Sequence, residues 1–194
     1  AYPQSAMYAE LNGHPQAINS AVFSPDGSRI LTASADNTAI LWFPASGDTT
    51  VFRCPARVNT AAFSPDGAQI LVALSNDTAI LFNTNHTVAA IFAAHQNEVR
   101  SAVFSPNQQQ VLTASWDNTA KLWDTKGNLL QTLPAHDDYL TGAIFSPSGN
   151  FILTTSVDKT AKLWSKDGQL IQTLEGHASA VNFAVFSPDE QMIV

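Results

Sequence analysis

From His95 to Asp124 the chain reads HQNEVRSAVFSPNQQQVLTASWDNTAKLWD, and two signatures inside this stretch decide the fold. The first is Phe104-Ser105-Pro106, which returns with its phenylalanine at Phe23, Phe63, Phe145 and Phe186, a step of 40 or 41 residues. The second is Thr119-Ala-Lys-Leu-Trp123, matched at the same distance after the first by Thr38-Ala-Ile-Leu-Trp42, Thr78-Ala-Ile-Leu-Phe82 and Thr160-Ala-Lys-Leu-Trp164. Two signatures locked in one register mean stacked supersecondary units, none of which can bury its apolar surface alone.

The unit is stranded. In the third copy the apolar runs Val99 to Phe104, Gln110 to Ala114, Ala120 to Trp123 and Leu129 to Leu133 are too short for helices and are bounded by turn residues. Runs such as Ile30-Leu31 and Ile40-Leu41-Trp42 are apolar on both sides, which suits small sheets covered on both faces by neighbouring sheets. In Ser24-Pro25-Asp26-Gly27 the proline presets one turn dihedral and the glycine accepts a positive φ. The third and fifth copies lack that glycine, at Gln108 and Glu190, and looser turns are expected there. Asp36-Asn37, Asn76-Asp77, Asp117-Asn118 and Asp158-Lys159 mark the turn between the second and third strands.

These residues resemble the WD-repeat β-propeller family: Gly13-His14 and Gly176-His177 open a unit, Phe-Ser-Pro-Asp-Gly follows, and Ser-x-Asp precedes a strand ending in Leu-Trp, with a literal Trp123-Asp124 in the third copy. The resemblance implies an all-β propeller of four-stranded antiparallel blades, about four and a half of them here, within one domain spanning 1–194 and part of a seven-bladed ring. The repeats fall at about 13–52, 53–93, 94–134, 135–175 and a truncated 176–194. Tyr8 to Leu11 stands where a fourth strand belongs, and the chain stops inside the fifth copy. The expectation is a ring completed by missing blades of the same longer chain, or, as a lesser alternative, by a second copy.

Composition narrows the function. Nine Lys plus Arg against 16 Asp plus Glu give a formal charge of −7 with no basic patch, which argues against nucleic acid as partner. No signal peptide or membrane-length apolar run is visible, and the single cysteine, Cys54, rules out an internal disulfide, so a cytoplasmic setting without membrane attachment is expected.

Serine, histidine and aspartate recur in each intact copy, which invites a catalytic triad. His14, His95 and His136 lie nine residues before their phenylalanine; Ser34, Ser115 and Ser156 lie eleven after it, and Asp36, Asp117 and Asp158 thirteen after it. A site used once per protein would not be written out in three blades, so no catalytic, cofactor-binding or metal-ligating residue is assigned and no cofactor is expected. The WD-repeat resemblance implies instead a buried network in which His joins Asp and Ser, with Ser bonded to the indole of Trp42, Trp123 or Trp164. The second copy carries Cys54, Leu74, Asn76 and Phe82 at the four network positions. Such joint loss is what a cooperative network predicts, since removing one partner alone strands the other.

Function then lies at positions the repeat does not dictate. The residue before the turn Asp or Asn is Ala35, Ser75, Trp116 or Val157. The resemblance implies a partner-binding rim there, flanking the innermost strands at Ala17 and Asn19, Arg57 and Asn59, Glu98 and Arg100, Tyr139 and Thr141, and Ala180 and Asn182. Arg57, Glu98, Arg100, Trp116 and Tyr139, from three consecutive blades, form the expected patch, against the plainer alternative of ordinary packing and solvated arginines. Three functions follow: a non-catalytic scaffold holding a protein or peptide on the propeller face, a sensory or regulatory propeller of a larger multidomain protein, and an enzyme, which lacks an acid, base and nucleophile outside the repeat pattern.

Overall fold

A computed structural model describes residues 11–194. Sixteen strands form four sheets of four, each an antiparallel meander in sequence order. The first blade comprises β1 (Ile18–Phe23), β2 (Ile30–Ser34), β3 (Thr38–Phe43) and β4 (Asp48–Arg53). The second comprises β5 (Val58–Phe63), β6 (Gln69–Leu74), β7 (Ala79–Asn83) and β8 (Val88–Phe92). The third comprises β9 (Val99–Phe104), β10 (Gln110–Ser115), β11 (Ala120–Asp124) and β12 (Leu129–Leu133), and the fourth β13 (Leu140–Phe145), β14 (Phe151–Ser156), β15 (Ala161–Ser165) and β16 (Leu170–Leu174). No helix occurs among the described residues.

Blades pack face to face, β2 on β5, β6 on β9 and β10 on β13, while β1, β5, β9 and β13 approach one another around an axial cleft of about 480 Å³. The inner strands bear out two-sided burial: Leu31, Ile70, Leu71, Val111, Leu112 and Ile152 have no appreciable exposure. Coverage on both faces stops at the outermost strands, where Val88, Ile91, Leu129, Leu130, Leu170 and Ile171 stand exposed, because no blade lies beyond β4, β8, β12 or β16 to cover them.

The turn lacking glycine is not looser. Gln108 and Glu190 adopt φ of 58°, and their amides donate to Ser105 and Ser187 at 2.9 Å, as Gly27 does to Ser24 at 2.8 Å. The turn is fastened by its serine rather than by its last residue. Ser105 Oγ donates to Asn107 and accepts from the Gln110 amide at 3.0 Å, and Ser24 does the same with Asp26 and Arg29. These side-chain bonds offset the cost of a left-handed residue with a Cβ.

Of the fourth-strand segment expected from Tyr8 to Leu11, residues 8–10 lie outside the described residues and Leu11 is not in a strand. The fifth copy forms one isolated bridge, Phe186 to Ile193, rather than a strand pair.

Each innermost strand carries a bulge at one place. Pairing skips Asn19, Asn59, Arg100 and Thr141, each the extra residue between two ladder partners. A bulge re-aims its side chain, and three of the four reach the next blade. Asn19 donates to the Val58 carbonyl at 2.7 Å, Asn59 to that of Val99 at 2.8 Å, and Thr141 to that of Val181 at 2.6 Å. Arg100 points elsewhere.

Candidate functional site

The β2–β3, β6–β7, β10–β11 and β14–β15 turns emerge on the same side as the links between blades, so the repeated His and Asp meet there. His14 Nδ1 lies 2.8 Å from Asp36 Oδ2, His95 Nδ1 2.7 Å from Asp117 Oδ2, and His136 Nδ1 2.8 Å from Asp158 Oδ2. The hydroxyl that links His to tryptophan is not the expected serine. It belongs to Thr32, Thr113 and Thr154, two residues earlier on the same strand face, whose Oγ1 lies 2.7, 2.7 and 2.9 Å from His Nε2. The same oxygens accept the indole N–H of Trp42, Trp123 and Trp164 at 2.9, 2.9 and 3.0 Å. Ser34, Ser115 and Ser156 instead brace the turn: their hydroxyls donate to the carbonyls of Ala17, Asn97 and Tyr139 and accept the amides of Asp36, Asp117 and Asp158.

Donor counting orders the chain of bonds. An indole can only donate, so the threonine oxygen accepts from it and keeps its own proton for His Nε2 or for the carbonyl of Ile40, Lys121 or Lys162 at 3.4 to 3.5 Å, while Nδ1–H donates to the carboxylate, which can only accept. Burial pushes His136 below its ordinary value, more than the hydrogen bond to Asp158 and that carboxylate's charge raise it. Burial also acts to raise Asp158, but bonds from the Thr160 hydroxyl and amide and from His136 outweigh it and leave the carboxyl at about 2. Asp117 is likewise held far below the carboxylate range: its burial is outweighed by bonds from His95, Thr119 and the Gln96 amide. The order hydroxyl, imidazole, carboxylate is that of an activated nucleophile. Here the hydroxyl is sealed, for Thr113 and Thr154 have no exposure and Thr32 has 1%.

Thr32, Thr113 and Thr154 escaped the sequence reading because a threonine inside an apolar strand reads as an ordinary β-former. One signal pointed to them. The second copy has Val72 at this position, so five residues, Cys54, Val72, Leu74, Asn76 and Phe82, depart there together.

The rim is set by a repeated backbone bond. The amide of the residue before the turn Asp or Asn donates to the carbonyl of the residue two before the bulge: Ala35 to Ala17, Ser75 to Arg57, Trp116 to Glu98 and Val157 to Tyr139, at 2.9 to 3.1 Å. The first blade presents only alanines at this pair. Across the next three blades the five expected patch residues form one continuous relay. Arg57 Nη2 lies 2.7 Å from both carboxylate oxygens of Glu98, and Arg100 Nη1 lies 3.2 Å from Oε1. The Arg100 guanidinium stands 5.3 Å from the Trp116 ring centre, and Trp116 stacks on Tyr139 at 5.4 Å and 20°. Glu98 is buried, the arginines are half-exposed, and Tyr139 is 44% exposed.

Of the other flanking residues, Asn19, Asn59 and Thr141 are committed to neighbouring blades. No group of three or more His, Cys, Asp or Glu among the described residues is placed to hold a metal ion, and no helix among them is long and apolar enough to cross a membrane. Compared with known protein families, residues 4–194 match the model described as IFT122 first beta-propeller.

Proposed function

Since the chain belongs to the IFT122 first beta-propeller family, we propose that it is a non-catalytic scaffold holding a protein or peptide on the rim of its His/Asp face. The observation that carries this reading is the relay Arg57–Glu98–Arg100–Trp116–Tyr139, in which cationic and aromatic side chains of three blades meet at one half-exposed surface. Arginine, tryptophan and tyrosine are the residue types that most often dominate binding energy, and stacking fixes their rotamers before a partner arrives. Sealing of the threonine hydroxyls speaks against turnover, because no substrate carbonyl can reach them. The net charge of −7 speaks against nucleic acid. A cytoplasmic setting goes with this reading, since the sole cysteine, Cys54, forms no disulfide within the chain.

Quantitative affinity enrichment from the native source tests the proposal. Wild-type protein should retain a discrete set of proteins that both Trp116→Ala and Arg100→Ala lose at unchanged melting temperature. Identical recovery by all three would refute it.

A further inference from the structure

We propose that the rim selects an acidic peptide, seating a carboxylate side chain on Arg57 and Arg100 and a neighbouring apolar side chain on the Trp116–Tyr139 stack. This rests on the reading that the rim binds a protein, and adds which chemistry it accepts.

Both arginines keep unused donors. A guanidinium has five N–H groups in a rigid fork. Arg57 engages Nε with Asn59 and Nη2 with Glu98, and its Nη1 has no partner among the described residues. Arg100 engages only Nη1, leaving Nε and Nη2 without partners among the described residues. Glu98, whose side chain is 10% exposed, is held by both arginines. It neutralises one of them and fixes both, so the trio keeps a net positive charge in a chain of net charge −7. Half-exposed, oriented guanidinium N–H groups take planar anionic acceptors best, and carboxylate is the anion that peptides carry. The one acid of the trio is already held by both arginines, so it offers an incoming cation little. The bulge at Arg100 contributes as well: its side chain makes no bond to the next blade, unlike those of Asn19, Asn59 and Thr141, and is turned to the rim.

Charge also sets a direction. Asp137 and Asp138 directly precede Tyr139, and Asp138 accepts the Tyr139 amide at 2.7 Å. A second carboxylate is disfavoured at that end, so the acid goes to the arginines and the apolar group to the rings.

The test is selection from a random dodecapeptide display library against the full chain, followed by fluorescence anisotropy with the enriched peptides. Enriched sequences should carry Asp or Glu beside an aromatic, proline or aliphatic residue. Replacing that acid by its amide, or Arg100→Gln in the protein, should weaken binding by about 10-fold or more, with Arg100→Lys between them because it keeps charge but loses the fork. Peptides that depend on Trp116 yet show no acidic enrichment, or that tolerate Arg100→Gln, would overturn acidic selection while leaving the rim a protein-binding surface. If no enriched peptide depends on Arg100 or Trp116, both readings fall.

Discussion

The second and third blades share a backbone and differ in what holds the turn side of it. In the third, Trp123, Thr113, His95 and Asp117 are joined by hydrogen bonds through a sealed interior. In the second, Phe82, Val72 and Leu74 are buried at the matching places, and Phe82 lies 5.4 Å from Phe52 of the first blade with no polar atom to satisfy. The strand registers are nevertheless equivalent, down to the bulge at Asn59 and at Arg100. Either chemistry supports the blade. What it does not tolerate is a mixture, since a buried donor without its acceptor costs more than the whole bond contributes.

The sharpest break of that comparison is His136→Ala against Cys54→Ala. Removing His136 takes one partner each from the buried Thr154 hydroxyl and the Asp158 carboxylate and opens a cavity, and should cost about 3 kcal/mol. Cys54 is half-buried against the apolar cluster and makes one weak polar contact, to the Phe52 carbonyl at 3.9 Å, so truncating it to alanine should cost under about 1 kcal/mol. Urea midpoints at constant m read the difference, and equal losses would defeat the network account.

Next comes one swap made in both directions. Thr113→Val strands the Trp123 indole and His95 Nε2, whereas Val72→Thr buries a hydroxyl where no histidine waits to receive it. Each should destabilise by about 1–3 kcal/mol, although the two changes are chemical inverses. If Val72→Thr stabilises the protein, joint replacement is not what the second blade records.

A pH titration of stability separates the blades further. The folded protein keeps His136 below its free value, so it binds fewer protons than the unfolded chain as pH falls through about 6.5, and stability drops on acidification there. The carboxyl of Asp158 is also depressed, so its contribution, present above the unfolded value near 4, is lost as pH falls towards about 2. Urea midpoints of wild type and the double variant His136→Gln/Asp158→Asn should diverge above pH 6.5 and converge below it. Parallel curves would show that the fourth blade's pair does not titrate with folding.

How much of this was legible in the sequence divides by scale. The repeat period placed the blades, and the bounded apolar runs placed their strands, because each run carries its own turn chemistry. His, Asp and Trp were visible by spacing. Threonine was not, because a polar link inside an apolar strand has the same sequence appearance as a β-former. The rim was legible as a set of residue types but not as a relay: that Glu98 sits between two arginines depends on a bulge and on blade-to-blade distance, which periodicity does not encode. Turn tightness was misjudged at Gln108 and Glu190 because the fastening serine, present in every copy, outranks the missing glycine.

The smallest expected effect concerns the turn acids' neighbours. Asn37, Asp77 and Asn118 adopt φ of 67° to 69°, a region their short side chains tolerate, while Lys159 is held at 75°. Lys159→Asn should stabilise by under about 1 kcal/mol, seen as a rise in melting temperature, and Asn118→Lys should reverse it.

The bonds from bulge to next blade all run one way, from Asn19, Asn59 and Thr141 onward, and the seam between the third and fourth blades has Arg100 where the clasp would be. Under a pulling force the seams are therefore unequal links in series. That seam retains the bond between the Ala143 amide and Ser101 at 3.3 Å and the Trp116–Tyr139 stack, so a partner lying across the rim would act as a strap over the joint that lacks a clasp.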